Sequence, residues 1–251
     1  MIKRLYAMGN IHIHTDLIAG LPYEDKESFI SSYNKLASLG THKLQLGFLK
    51  LLYGSDMREH PELYPCEYEK KAPYKVQKTP WLSEDDIREL ELSERANDGI
   101  FYSGRFSESV KYLLSVCGMS QYELSKTLGE ALYRDGTPPL DELYNSIYTF
   151  CSTLSGVRSD VLRDLLLYDR IKNNNSCVIP KSLIIRDKKL GKVSALIDAR
   201  HQRKNNVRRC VGILYTRGSC IYADYDKKHP VTGMYEVHEI PIDELFASEG
   251  E

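Results

Sequence analysis

The chain has 251 residues, enough to bury a core as one large domain or two smaller ones. Its 34 Lys and Arg against 35 Asp and Glu give a formal net charge of -1, so no bulk field recruits nucleic acid or an anionic membrane. No apolar run reaches the roughly 18 residues of a spanning helix, and the N-terminal MIKRLYAMGN has no signal-peptide apolar region.

The first patterned stretch is IHIHTDLIAGLPYE, Ile11 to Glu24, read as a strand that ends in a Gly-Leu-Pro turn and opens a helix. Alternate side chains of a strand point to opposite faces. Ile11, Ile13, Leu17 and Ala19 form an apolar face, while His12, His14, Asp16, Ile18 and Gly20 form a mostly polar one. Such a polar face on an otherwise buried strand is costly unless satisfied, which makes it a site candidate. Either histidine taken alone fits equally well as a hydrogen-bonded core or rim residue.

A helix follows, with Asp25 as N-cap, Glu27 in the first turn, and Phe29, Ile30, Tyr33, Leu36 and Ala37 on one stripe. Gly40 closes it. KLQLGFL, Lys43 to Leu49, alternates again and gives a second strand. Strand, helix and strand make a βαβ unit with parallel neighbours and a right-handed crossover. Residues 51–80 are rich in proline and tyrosine without a sustained period, which predicts an ordered surface loop.

Helix starts then come in quick succession. Ser83 caps with Asp86 at N3, and Leu82 and Ile87 form a hydrophobic staple. Ser107 opens a second helix, Ser120 with Glu123 a third, Thr137-Pro138 a fourth and Ser159 a fifth. Residues 181–209 carry scattered basic side chains ending in RHQRKNNVRR, Arg200 to Arg209. Such a run reads as a solvated face or loop, with nucleic-acid contact the lesser alternative. VRRCVGILYT, SCIYADY and MYEVHEI predict three closing strands. The six cysteines (Cys66, Cys117, Cys151, Cys177, Cys210, Cys220) form no CxxC and read as reduced thiols of a cytoplasmic protein.

HTDLIAGLPYED, LQLGFLKLLYGSDMR and TPWLSEDDI together resemble the C-terminal part of radical S-adenosylmethionine (SAM) proteins. The group they resemble most carries an N-terminal cobalamin-binding domain and a C-terminal extension of unknown function. The first motif is widespread among barrel-type radical SAM enzymes, and the strings with GFLKLL and TPWLSEDDI are more specific. The resemblance implies an α/β fold in three parts. Residues 1–60 would be the last βαβ unit of a (β/α) barrel, 61–175 a helical extension, and 176–251 a small antiparallel β segment.

By the same resemblance, Ile18 packs on the adenine of SAM and Gly20 lets the backbone approach the ligand. Glu24 is the family's acidic residue, one position later than its commonest spacing. The implied cofactor-binding set is His14, Asp16, Ile18, Gly20, Gln45 and Gly47. The family's cofactors are SAM and a [4Fe–4S] cluster, with cobalamin in this group. The cluster is held by CxxxCxxC, and no such motif occurs in this chain. The expectation is therefore a fragment that binds none of these cofactors alone, is inactive by itself and calls for the missing N-terminal half as partner. No feature names the substrate. Two other classes stay open: a metal-dependent phosphoesterase, because His12-x-His14-Thr15 resembles the opening motif of polymerase-and-histidinol-phosphatase-type hydrolases, and a non-catalytic interaction module built on the helical block.

Overall fold

The computed structural model describes residues 4, 5, 8, 11–202, 204, 206–230 and 232–247. Most of the N-terminal decapeptide, and Arg203 and Asn205 of the basic run, lie outside the described residues. The fold is mixed α/β and forms two compact units, Met1–Ser103 with Met119–Thr137 and Gly104–Gly118 with Pro138–Glu251. No helix among the described residues is long and apolar enough to cross a membrane.

The first unit opens with β1 (His14–Ala19), α1 (Lys26–Ala37) and β2 (Lys43–Phe48). The Asp25 carboxylate caps α1 by accepting from the Ser28 N–H at 2.8 Å, and Gly40 turns the chain at a φ of +69°. β1 and β2 pair in parallel with Asp16 opposite Gln45 and Ile18 opposite Gly47. Among the described residues this sheet has two strands and does not close into a barrel.

The stretch expected to be a loop contains the short α2 (Asp56–Glu59) and an antiparallel hairpin of β3 (Glu67–Tyr68) and β4 (Val76–Lys78). Strands of two and three residues are too short to display a period of two. α3 (Glu84–Ala96) begins with the expected capping box, Ser83 and Asp86 bonding reciprocally, and runs into a π-helical turn, Asn97–Phe101. α4 (Ser107–Val116) belongs to the second unit, and α5 (Gln121–Leu132), with its own Ser120–Glu123 box, to the first. The core of the first unit gathers Ala19, Phe29, Tyr33, Leu44, Leu46 and Val76 with Leu82, Ile87, Leu90 and Tyr122.

The second unit adds α6 (Leu140–Cys151), α7 (Ser159–Asn173), α8 (Lys189–Arg200), an antiparallel sheet of β5 (Arg209–Leu214), β6 (Ser219–Asp224) and β7 (His238–Pro241), and α9 (Ile242–Ala247). Alternation sends Cys210, Leu214, Ile221 and Ala223 towards Leu167 and Ile171 of α7. Ile213, Cys220 and Tyr222 go to the other face, against Val193, Ile197 and Leu245. α8 lies inside the stretch expected to be basic loop. Only Val193 and Ile197 of that helix are buried, a stripe too narrow to stand out among lysines and arginines. Arg209, the last residue of the basic run, is 2% exposed in its side chain and bonds the Asp224 carboxylate at 2.7 and 2.8 Å.

α4 starts at Ser107 as expected, yet the residue before it, Phe106, offers no cap. Asp169 of α7 supplies one from outside. Its carboxylate accepts from the Glu108 and Ser109 N–H groups at 3.1 and 2.9 Å and from the Ser109 hydroxyl at 2.8 Å. Burial pushes the Asp169 carboxyl up from its ordinary 3.8 to about 6, against the opposing effect of these donors. The folded chain thus holds this proton more tightly than the unfolded one, so the contribution of Asp169 to stability declines as pH rises from 3.8 to about 6. Replacing it with alanine strands two helix N–H groups. Asp169→Ala is expected to lose about 2 kcal/mol in urea denaturation near pH 4 and less at neutral pH; an unchanged midpoint near pH 4 would refute the cap.

Candidate functional site: the concave face of the parallel strands

Along β1 the side chains of His14, Asp16 and Ile18 are exposed, those of Thr15 and Leu17 are half-buried, and Ala19 is buried. In β2, Leu44 and Leu46 are buried and Gln45 is exposed. The parallel register brings Asp16, Ile18, Gln45 and Gly47 onto one face, and with Lys50 and Leu52 they line a concavity of about 450 Å³. It reaches the C-terminal ends of both strands, the end at which parallel α/β sheets carry their ligands. Ile18 is 45% exposed here, an apolar side chain standing on a polar face.

Four of the six residues expected in the site thus meet, and two do not line the concavity. His14 lies two register pairs from Asp16, towards the N-terminal end. Its ring is 4.7 Å from that of His12, which is 4.6 Å from that of His42. Burial, then the neighbouring His42 and His14, lower the pKa of His12. The Nδ1 of His42 accepts the Ile13 N–H at 3.1 Å. Three imidazoles are gathered, but among the described residues no group of three or more His, Cys, Asp or Glu is arranged to hold a metal ion.

Gly20 is buried at a φ of +91°, and a Cβ there would stand 2.7 Å from Cγ1 of Val76 in β4. The close approach that Gly20 permits is thus to Val76. Glu24, on the turn that leaves β1, has one buried carboxylate oxygen without a partner, and burial followed by Asp25 raises its pKa.

The two edges of the sheet differ. The Lys43 N–H donates to the Ile13 carbonyl, and the Leu49 N–H to the Ala19 carbonyl. In a parallel ladder alternate residues face alternate sides, so the backbone of Leu44 faces away from β1. Its carbonyl accepts from the Asn97 side chain at 2.6 Å, and Asn97 in turn accepts from the Tyr33 hydroxyl at 2.6 Å. The π-helical turn therefore covers the outer edge of β2. By the same alternation, the backbone groups of His14, Asp16 and Ile18 face the outer edge of β1, where the described residues supply no strand. Sequence reasoning missed Asn97, because a lone amide in a polar helix end carries no signal of burial.

The fold and this face define a mixed α/β protein with a one-sided parallel βαβ unit. The chain belongs to the family described as "Protein of unknown function (DUF4080)", whose model matches residues 62–219. That stretch begins after β2, so the concave face lies outside it. No curated protein matches the chain.

Gly20→Ala would need both a left-handed backbone and room that Val76 occupies. The expected loss is about 2 kcal/mol or more in chemical denaturation. A Gly20→Ala, Val76→Ala double variant regains part of it; if it does not, Val76 is not the constraint.

Proposed function

We propose that β1, α1 and β2 form the terminal βαβ unit of a radical SAM barrel, whose concave face takes the adenosine portion of SAM. The remainder of the chain is the C-terminal extension of that enzyme. The observation that carries this reading is the asymmetry of the sheet. β2 is closed by Asn97 on its outer side, β1 is open, and the exposed face between them is concave. A two-stranded parallel sheet with one uncovered face is not a stable end state by itself. The N-terminal half of the enzyme is then the partner that would supply the strands beyond β1.

The residues fit a nucleoside. Ile18 offers an apolar surface for a base, and a Cβ at Gly47 would meet only the Leu17 carbonyl oxygen at 3.8 Å, so that position leaves space. Asp16 and Gln45, opposite each other, offer a carboxylate and an amide for ribose hydroxyls or a base edge. The residues do not fit the cluster. The first unit contains one cysteine, Cys66, and the chain no CxxxCxxC. The radical chemistry that SAM and a reduced cluster supply would need cysteines from outside this chain. The task left to this chain is to bind and orient the nucleoside, and cobalamin enters only through the resemblance.

Titration with adenosine, followed by amide and methyl NMR, tests the reading. The chain holds only part of the lining, so weak, fast-exchange shifts confined to Asp16, Ile18, Gln45 and Gly47 are expected at concentrations on the order of millimolar. Gly47→Val projects its side chain into the concavity from a Cβ that meets only the Leu17 carbonyl oxygen, and is expected to abolish them at an unchanged melting temperature. Shifts elsewhere, or shifts that survive Gly47→Val, would overturn the assignment.

A further inference from the structure

The second unit brings two cysteines together on a rigid frame. Cys177 sits in the loop after α7, half-buried, and packs against the apolar cluster that contains the buried Cys210 of β5. The two thiols are side-chain neighbours, and the Cys177 Sγ lies 3.7 Å from the carbonyl oxygen of Arg209, the peptide unit leading into Cys210. Cys177 adopts a φ of +57°, a left-handed conformation that a residue other than Gly, Asn or Asp seldom takes without compensation.

Arg170 provides the compensation. Its guanidinium donates from Nε to the Val178 carbonyl at 3.0 Å and from Nη2 to the Ser176 hydroxyl at 3.3 Å, gripping the residues on either side of Cys177. The side chain is 3% exposed, and its Nη1 is buried without a partner. Arg170 thus holds Cys177 in its left-handed backbone beside the strand that carries the second cysteine.

We infer that Cys177 and Cys210 form a reversible dithiol–disulfide site, oxidised by a hydroperoxide with Cys177 attacking and Cys210 resolving. Cys177 is the more exposed residue of the two. As thiolate it attacks the peroxide, an S–O bond forms and the O–O bond breaks, and the alcohol leaves with the proton. The Cys210 sulfur then attacks the sulfenic sulfur of Cys177. The S–S bond forms, the S–O bond breaks, and the Cys210 proton departs with the hydroxide as water. Two thiols lose two electrons and two protons, and the hydroperoxide is reduced to alcohol and water. Burial pushes the Cys210 thiol up to about 12, which keeps it from reacting with oxidant before Cys177 does.

Another pair, Cys117 and Cys151, also lies close, with Cys151 fully buried on α6, and serves as an internal comparison. The native chain is treated with hydrogen peroxide, alkylated after unfolding, and mapped without reduction. The expected product is Cys177 joined to Cys210 within one chain, with two hydrogens lost, reversed by dithiothreitol and in roughly tenfold excess over any other pair. It forms equally in a Cys117→Ser, Cys151→Ser variant. In Cys210→Ser, Cys177 stops at the sulfenic acid and is trapped by dimedone. Recovery of both thiols while other cysteines oxidise, or preferential joining of Cys117 to Cys151, overturns the inference. So does dimedone labelling of Cys177 in the unsubstituted chain at the level seen in Cys210→Ser.

Discussion

One buried amide organises the first unit. Asn97, fully buried, donates to the Leu44 carbonyl and accepts from the Tyr33 hydroxyl. It ties β2 to α1 at the point where α3 widens into its π-helical turn. Burial raises the pKa of Tyr33, so its phenol stays protonated and able to donate. A buried donor or acceptor left without a partner costs about 1–3 kcal/mol, so removing this amide would penalise three elements together. Because it occupies the outer edge of β2, the sheet ends there. Among the described residues the open side of the unit is then β1.

The second unit relies on α7 in a comparable way. Two carboxylates on its inward side serve as caps for neighbours. Asp169 holds the start of α4, and Asp164 accepts from the Thr216 N–H and hydroxyl at 2.7 and 2.6 Å, fixing the β5–β6 turn. Buried charge of this kind is costly unless it is bonded, and here each carboxylate meets donors of another element. The helix also packs closely on the sheet at Gly212, where a Cβ would stand 2.8 Å from Ile171 Cδ1. Helix and sheet are thereby placed by specific contacts as well as by apolar area.

Features whose cause is local were legible in the sequence. Asp25 at the start of α1, the Ser83–Asp86 and Ser120–Glu123 boxes, the alternation of β1 and β2, and the strand-forming composition of β5 and β6 on either side of Arg217-Gly218 each express a rule that acts over a few residues. The same alternation placed Asp16, Ile18, Gln45 and Gly47 on one side. Features whose cause lies far along the chain were not legible. Asp169 caps a helix about sixty residues earlier, Asn97 reaches a strand more than fifty residues away, and beside its left-handed φ the need for glycine at position 20 comes from Val76. α8 escaped notice because its buried stripe is two residues wide, and the β3–β4 hairpin because it is shorter than its own period.

Among the described residues the outer edge of β1 carries no partner and is open to a further strand. Amide hydrogen exchange at low concentration reads it residue by residue. Leu17 and Ala19, whose backbones face β2, are expected to exchange slowly, while Asp16 and Ile18 exchange at close to the rate of an unstructured chain. Protection of Asp16 and Ile18 equal to that of Leu17 and Ala19 in the monomer would mean that this edge is already satisfied and that no further strand is required.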